Sequence, residues 1–415
     1  MLRFAFALCL FAAAAIAADP PRAWVDAATG HRIVRLSDEP GSTSLYFNVN
    51  AFTPDGRTLV FATPTGIAAM DLKTRALTKI VTGKVHLLFV GRKTGMVYYD
   101  TTAAGKTIYA VAAAGGRARV VARIPSGSIQ TINADETLLA GVEEFAAPAP
   151  VGRDGLMHDP AKPQSKGAMM QARLEAKIAM RIFTFSLKTG EFRTVVQSTD
   201  WLNHLQFSPT DPNLLLYCHE GDWHRVDRLW LIRTDQAPNG TNAQPLKLHS
   251  RTMAMEIAGL EWFSTDGIWI WYDLQTPRGE DFWVAGYEVA TARRIRYHLQ
   301  RNEWSVHFNS APDGSLFSGD GGSPAMVAHA LGGQWLYLFR PHLLPEPDSG
   351  DHAAPAGDLI HAGVFEAEKL VDMRVHDYRL EPNATFTPDG KWLIFRSNMH
   401  GAPQVYAVEI AKPGP

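Results

Sequence analysis

The sequence contains little cysteine. Of its 415 residues only Cys9 and Cys218 are cysteines, and Cys9 lies in an N-terminal segment that we expect to be removed. The mature chain then keeps Cys218 alone, so an intramolecular disulfide is excluded. Its stability must come from a large buried core.

An excess of charge of one sign is also missing. Lys and Arg number 40 against 42 Asp and Glu, which gives a formal net charge of -2. We therefore predict no sequence-independent binding to nucleic acid or to an anionic membrane surface. An acidic ligand remains compatible with this balance, because it needs only a few cations in one pocket.

Long apolar runs are confined to the N-terminus. Arg3 precedes an apolar stretch over residues 4–17, which ends in the small residues Ala15 and Ala17. This pattern predicts a signal peptide over residues 1–17 and a mature chain, 18–415, that is exported to the periplasm or secreted. The apolar run is shorter than the roughly 17–25 residues that span a bilayer, and we predict no membrane span in the mature chain.

One turn phrase recurs along the chain. It reads Phe-Thr-Pro-Asp-Gly at residues 52–56 and 386–390, with variants at residues 207–211, 263–267 and 310–314. Weaker copies lie near residues 91 and 133. Pro and Asp-Gly favour a tight turn, and the β-branched and aromatic residues that follow favour a strand.

The seven units predict an all-β fold, a single seven-bladed β-propeller over residues 18–415. They start near residues 52, 92, 133, 207, 263, 311 and 386, and most of their spacings suit a four-stranded blade. The last unit has room for only about three strands. We therefore expect residues 31–36 to complete it and close the ring, which removes open sheet edges.

Two intervals are too long for one blade and predict insertions at about residues 146–180 and 323–375. The first contains an amphipathic run, residues 169–180, that favours a helix. Such insertions either cover one face of the ring and shape a binding site or extend from its periphery. The sequence leaves both alternatives open.

Polar side chains precede several turn phrases, where the innermost strand of each blade lines the central channel. This places His204, Leu260, His307 and the segment from Glu381 to Asn383 near the axis. Converging His, Glu and Asn side chains can form a cation site. A single inner-strand histidine is more often a hydrogen-bonded core residue, so both interpretations stand. The sequence has no HExxH or CxxC spacing and no convincing nucleophile elbow.

Several segments resemble the oligogalacturonate lyase family. They are residues 44–56, 217–221, 226–232, 319–321 and 386–390, and the likeness extends over nearly the whole mature chain. The resemblance implies a seven-bladed propeller that cleaves short uronic-acid oligomers by β-elimination. It also implies a divalent metal such as Mn²⁺ as cofactor and an acidic oligosaccharide as partner.

The resemblance also implies roles for individual residues. β-Elimination removes a proton next to a carboxylate, so it needs a positive partner for that carboxylate and a base. By resemblance, Arg228 and His219 are the predicted catalytic residues, and His307 is a metal ligand. The predicted substrate-binding residues are His204, His224, Arg278 and Arg379.

Three positions depart from the family pattern. Leu260 stands where the family has the histidine regarded as its catalytic base, and leucine cannot accept a proton. Glu381 and Asn383 stand where the family has two metal-binding histidines. Oxygen ligands still suit Mn²⁺ or Ca²⁺, so we predict a metal site formed by His307, Glu381 and Asn383.

Three hypotheses follow. The first is a uronate lyase in which His219 or Arg228 abstracts the proton. The second is a glycan-binding propeller that has lost catalysis, for which Leu260 is the main argument. The third is a propeller with a structural or protein-interaction role, because the fold alone does not define a function.

Overall fold

The computed structural model describes residues 20–101, 107–146, 166–236, 244–324, 326, 334–345 and 359–414. The predicted signal peptide, residues 1–17, and most of the first predicted insertion lie outside these residues. Within the described ranges, no helix has the length and apolar character needed to cross a membrane.

The regular secondary structure of the described chain is almost entirely β-strand. In chain order they are β1 (Ala23–Val25), β2 (Arg32–Arg35), β3 (Thr58–Thr63), β4 (Gly66–Asp71), β5 (Leu77–Thr82), β6 (Val85–Val90), β7 (Met96–Thr101), β8 (Thr107–Ala112), β9 (Arg119–Arg123), β10 (Ser128–Ile132), β11 (Leu138–Ala146), β12 (Ala179–Ser186), β13 (Phe192–Ser198), β14 (Trp201–Phe207), β15 (Leu214–Glu220), β16 (Leu229–Arg233), β17 (Leu246–Lys247), β18 (Ile257–Phe263), β19 (Trp269–Gln275), β20 (Phe282–Glu288), β21 (Arg294–Leu299), β22 (Phe308–Ser310), β23 (Phe317–Gly319), β24 (Trp335–Leu343), β25 (Ile360–Asp372), β26 (Thr385–Phe386), β27 (Trp392–Ser397) and β28 (Gln404–Glu409). Helix α1 (Lys166–Ala176) lies between β11 and β12, and a 3₁₀ turn (Arg301–Glu303) follows β21.

These strands form seven antiparallel blades, which confirms the predicted seven-bladed propeller. The blades are β3–β5, β6–β9, β10–β13, β14–β17, β18–β21, β22–β25, and β26–β28 together with β2 and β1. The first blade lacks a regular inner strand. Only two isolated bridges, Thr43 to Ala62 and Phe52 to Leu59, connect the preceding segment to β3.

The N-terminus closes the ring as predicted. β2 pairs antiparallel with β28, with Ile33 opposite Val408, and β1 adds an outer strand beyond β2. Ile33 and Val408 are completely buried in one apolar cluster with residues of the sixth and seventh blades. The seventh blade therefore takes its inner strands from the C-terminus and its outer strands from the N-terminus.

Trimming one methyl group at this closure should measurably weaken the fold. We expect Ile33→Val to lower the free energy of unfolding by about 1 kcal/mol, because Ile33 is fully buried. Ile268→Val, at an exposed isoleucine, is the control and should change it by less than about 0.5 kcal/mol. Urea denaturation measures both, and equal effects would argue against a packed closure.

The recurring phrase forms the turn between the first two strands of a blade. At residues 53–58, Asp55 Oδ1 accepts hydrogen bonds from the Thr53 hydroxyl at 2.6 Å and from the Arg57 N–H at 3.1 Å. Gly56 has φ +68°, which a side chain would disfavour. The same contacts recur around Asp389, so the repeat encodes one local structure.

The two long intervals differ from each other. The first contains α1, whose Arg173 lies over Trp201 at 4.5 Å, so the helix packs where β14 begins. The second contains β24 and β25, the outer strands of the sixth blade, so much of it is blade rather than insertion. β25 also pairs in parallel with β21 of the fifth blade, which places it at the periphery.

Candidate active site

The segment of residues 44–50 crosses the central axis, and we call it the axial segment. The Asn48 side chain donates to the Glu261 carbonyl of the fifth blade at 3.1 Å. The Phe47 carbonyl accepts a hydrogen bond from Asn309 of the sixth blade at 3.2 Å. The axial segment therefore separates a cavity where the inner strands begin from a second one beside the turn phrases.

The first cavity has a volume of about 400 Å³. Its lining combines the axial segment with the inner strands of several blades, and its polar side chains include Tyr46, His86, Gln130, His204 and Arg396. A volume of this order suits a small ligand. We call this space the axial cavity.

Irregular backbone turns inner-strand side chains toward the axis. His204, Leu260 and Asn383 have φ values of +52°, +52° and +53° in three different blades. Bulges interrupt the pairing of β14 with β15 at His204 and of β18 with β19 at Leu260. Bulges re-aim side chains. His204, Leu260 and Asn383 all lie against the axial segment, at Tyr46 or Phe47. Leu260 is buried in the apolar cluster that contains Phe47.

A buried carboxylate joins a histidine to an arginine beside the axial cavity. Glu220 Oε1 lies 2.7 Å from His204 Nε2, and Glu220 Oε2 accepts a hydrogen bond from Arg228 NH1 at 2.7 Å. The Arg228 side chain is 1% exposed, whereas that of His204 is 22% exposed. The histidine therefore faces the cavity and the arginine lies beneath it.

Each charge among Glu220, His204 and Arg228 stabilises the ionised form of its neighbour of opposite sign. Burial opposes ionisation of Glu220, but Arg228 and His204 outweigh it and hold its pKa well below the ordinary value. Burial likewise opposes protonation of His204, yet the hydrogen bond and charge of Glu220 raise its pKa above 6.5. Burial also opposes the charge of Arg228, but neighbouring acidic groups raise its pKa.

Two further acids lie close to Arg228. Glu261 and Asp273 are buried, and within the described ranges none of their carboxylate oxygens has a hydrogen-bond partner. Burial raises the pKa of both groups, and that of Asp273 most strongly. The Arg228 guanidinium also stacks on Trp223 at 4.4 Å, so it is held from several sides.

A second polar group lies on the other side of Tyr46. The Tyr46 hydroxyl is 3.2 Å from His307 Nε2, and its ring lies 5.7 Å from that of His204. His307 Nδ1 is 2.8 Å from Asp320 Oδ2, which fixes the orientation of the ring. Glu381 Oε2 lies 3.7 Å from His307 Nε2. Tyr46 thus connects the two polar groups at the axis.

The predicted metal ligands meet only in part. His307 Nε2 and the Glu381 carboxylate converge, and Asp320 lies behind the imidazole as in many histidine metal sites. The side chain of Asn383 bonds the Glu381 carbonyl and the Phe47 N–H instead. The described residues contain no group of three or more His, Cys, Asp or Glu side chains with metal-site geometry. Of the three predicted ligands, only His307 and Glu381 are therefore placed to hold an ion together, and its other ligands would have to be water or substrate.

The His219 N–H donates to the Arg228 carbonyl at 2.9 Å, but the side chains of this predicted catalytic pair contact different carboxylates, Asp200 and Glu220. Neighbouring strand residues point to opposite faces, so His219 points away from the side on which Glu220 holds Arg228. His219 Nδ1 is 3.0 Å from Asp200 Oδ2, and its ring packs beside Trp230.

Within the described ranges, three of the predicted substrate-binding residues make no contact with the side chains of Glu220, Arg228 or Tyr46. Arg379 is exposed and paired with Asp377. Arg278 is exposed in the turn between β19 and β20. His224 lies between β15 and β16, where its carbonyl accepts a hydrogen bond from Arg251. Of the four predicted substrate-binding residues, His204 alone lines the axial cavity.

The structure adds site residues that the sequence analysis did not assign, namely Tyr46, Glu220, Asp320 and Arg396. Arg396 Nε donates to the Glu381 carbonyl at 2.7 Å, and its side chain lines the axial cavity. Glu220 directly follows His219 in β15. Side chains along a strand point alternately to its two faces, so only one of these two residues can face Arg228. Arg396 directly follows the apolar run after the last turn phrase, a position with no polar pattern of its own.

Comparisons with known proteins agree over almost the entire chain. The family profile described as oligogalacturonate lyase matches residues 21–413. The oligogalacturonide lyase of Pectobacterium atrosepticum is 25% identical over 93% of this chain and 95% of its own. The oligogalacturonate lyase of Dickeya dadantii is 24% identical with the same coverage.

Solved structures show the same fold. An oligogalacturonate lyase from Vibrio parahaemolyticus superposes with a TM-score of 0.70 at 20% identity, covering 94% of this chain and 96% of that one. An oligogalacturonate lyase in complex with manganese gives a TM-score of 0.68 at 24% identity, with the same coverage.

Proposed function

Because the chain belongs to the oligogalacturonate lyase family, we propose that it cleaves short uronic-acid oligosaccharides by β-elimination. The observation that carries this proposal is the Glu220–His204 pair at the wall of the axial cavity. An imidazole backed by a carboxylate can accept a proton from a ligand, and Arg396 in the same wall can face an acidic sugar.

The reaction assigns a task to each group. His204 accepts the C5 proton of the uronate, the electron pair forms the C4=C5 bond, and the C4–O bond breaks. The leaving oxygen then takes a proton from solvent. Arg396 faces the substrate carboxylate, while buried Arg228 adds positive potential from beneath. His204 thereby takes the role of base that the sequence suggested for His219 or Arg228.

We further propose that His307 and Glu381 hold a divalent cation, Mn²⁺ or Ca²⁺. When bound, such an ion would supply positive charge to stabilise the substrate carboxylate during proton abstraction. Asp320 orients His307 through Nδ1, and an ion on Nε2 would replace the contact of that nitrogen with the Tyr46 hydroxyl.

The second candidate function is glycan binding without catalysis. Leu260 favours it, because a buried leucine occupies the position of the family's base. A binder would retain affinity for uronides in the axial cavity but would form no product.

One assay separates the two functions. Saturated digalacturonate and trigalacturonate are incubated with the protein in Mn²⁺, in Ca²⁺ and without metal, and ultraviolet absorbance and mass spectrometry follow the C4=C5 product. We expect product formation. Binding by calorimetry without product across a panel of uronides would replace the lyase proposal by the binder.

The rate should depend on pH in one direction. His204 must be neutral to accept a proton, and its pKa is raised above 6.5 by Glu220 after the opposing effect of burial. We therefore expect kcat/KM to rise with pH through a midpoint above 6.5. A profile that falls over this range would exclude His204 as the base.

We also propose export to the periplasm or beyond the cell, based on the pattern of residues 1–17. Expression of the full chain should give a mature N-terminus at Ala18, determined by mass spectrometry of the fractionated protein. An uncleaved chain retained in the cytoplasm would contradict this proposal.

A further inference from the structure

We propose that Glu220 is a positioning residue that fixes the tautomer of His204 and holds Arg228 in place with the same carboxylate. This inference rests on the proposed function, because it assigns His204 the role of base. It adds a residue to which neither the sequence analysis nor the comparisons gave a role.

The geometry divides the carboxylate between two partners. Each Glu220 oxygen lies 2.7 Å from one partner, Oε1 from His204 Nε2 and Oε2 from Arg228 NH1. Glu220 is buried at the end of β15, so water does not compete effectively for either contact. The base and the buried cation are therefore coupled through one side chain.

The contact with Glu220 determines which ring nitrogen of His204 carries the proton. An ionised carboxylate only accepts hydrogen bonds, so neutral His204 must carry its hydrogen on Nε2. Nδ1 then keeps its lone pair, and the partly exposed ring borders the axial cavity. This is the arrangement that a general base requires.

The surrounding charges make an ionised Glu220 the consistent state. The groups that act on His204 are Glu220, Glu261 and Arg228. Those that act on Arg228 include Glu220, Glu261 and Cys218. The raised pKa of Glu261 favours its neutral form, so Glu220 is the principal counterion of Arg228.

Glu220→Gln tests the inference because it keeps the shape and removes the charge. The glutamine carbonyl must still face Arg228, since its NH₂ group would meet a second donor there. The NH₂ group therefore faces His204 Nε2, which can bond it only as an acceptor. The hydrogen of neutral His204 moves to Nδ1, and the base nitrogen is blocked.

The experiment combines NMR with kinetics on the full mature chain. ¹⁵N-histidine labelling, assigned with His204→Gln, gives the tautomer and pKa of His204. In Glu220→Gln we expect the proton on Nδ1, a lower His204 pKa and a kcat more than about tenfold lower. KM should change less, because Glu220 does not border the cavity.

Asp200→Asn is the matched control, since Asp200 pairs with His219 in the same kind of contact. It should leave the rate and the His204 signals unchanged. An unchanged tautomer and pKa of His204 in Glu220→Gln would overturn the inference. A wild-type protein without lyase activity would overturn the proposed function instead, while the NMR result still decides the role of Glu220 toward His204.

Discussion

His204→Ala is expected to lower kcat by about 10²- to 10⁴-fold on a uronide substrate, with the fold intact. The imidazole is the proton acceptor in the proposed reaction, and alanine leaves no group to replace it. Its side chain is 22% exposed at the cavity wall, and Glu220 keeps its hydrogen bond to Arg228 after the truncation. Initial rates from product absorbance, with circular dichroism and thermal unfolding as folding checks, measure the effect.

His219→Ala is the matched control for this prediction. His219 and His204 each pair with a carboxylate. His219 contacts Asp200 and lies on the face of β15 opposite to Glu220, the partner of His204. We expect its removal to change kcat by less than about threefold. A loss at His219 equal to that at His204 would contradict the assignment of the base to the axial cavity.

The fold could be predicted from the sequence because its information is local and repeated. Each turn phrase contains its own stabilising contacts, as at Asp55 and Asp389, so seven copies predict seven blades. The closure by residues 31–36 followed from the strand missing in the last unit. The outer strands β24 and β25 were missed because they depart from the repeat length and extend to the neighbouring blade.

The site could be predicted only where a residue adjoins the repeat. His204, His307 and Glu381 lie just before turn phrases, and all three reach the axis. Tyr46 and Arg396 approach the same place from an irregular segment and from a second strand. A short sequence pattern cannot predict such contacts, because closure of the propeller brings together residues that are distant in sequence.

Side-chain direction explains the largest difference at the site. The resemblance assigned a catalytic role to His219, whereas in the structure its neighbour Glu220 makes the side-chain contact with Arg228. Strand alternation separates these neighbours once the strand is known. Asn383 also lies against the axial segment, but its side-chain amide hydrogen-bonds to the Phe47 N–H and the Glu381 carbonyl instead of facing a metal site. The position of Phe47 therefore determines how the Asn383 side chain is used.

Arg228→Ala is expected to lower the free energy of unfolding by about 3–5 kcal/mol at neutral pH. The substitution removes the principal counterion of Glu220 and leaves that buried carboxylate ionised with only His204 beside it. Arg233→Ala is the control, because Arg233 pairs with Asp211 and Asp235 at a partly exposed site. It should cost less than about 1 kcal/mol in the same urea titration.

The pH dependence of this loss distinguishes an electrostatic cause from lost packing. In the native protein the pKa of Glu220 is lowered, so its contribution is present at neutral pH and is lost as the pH falls below 4.5, the ordinary value. Without Arg228, burial dominates and raises that pKa, so ionisation opposes folding at neutral pH and protonation relieves it. The stability difference between wild type and Arg228→Ala should therefore shrink as the pH is lowered toward 4.5. A difference independent of pH would assign the loss to the cavity beside Trp223 rather than to charge.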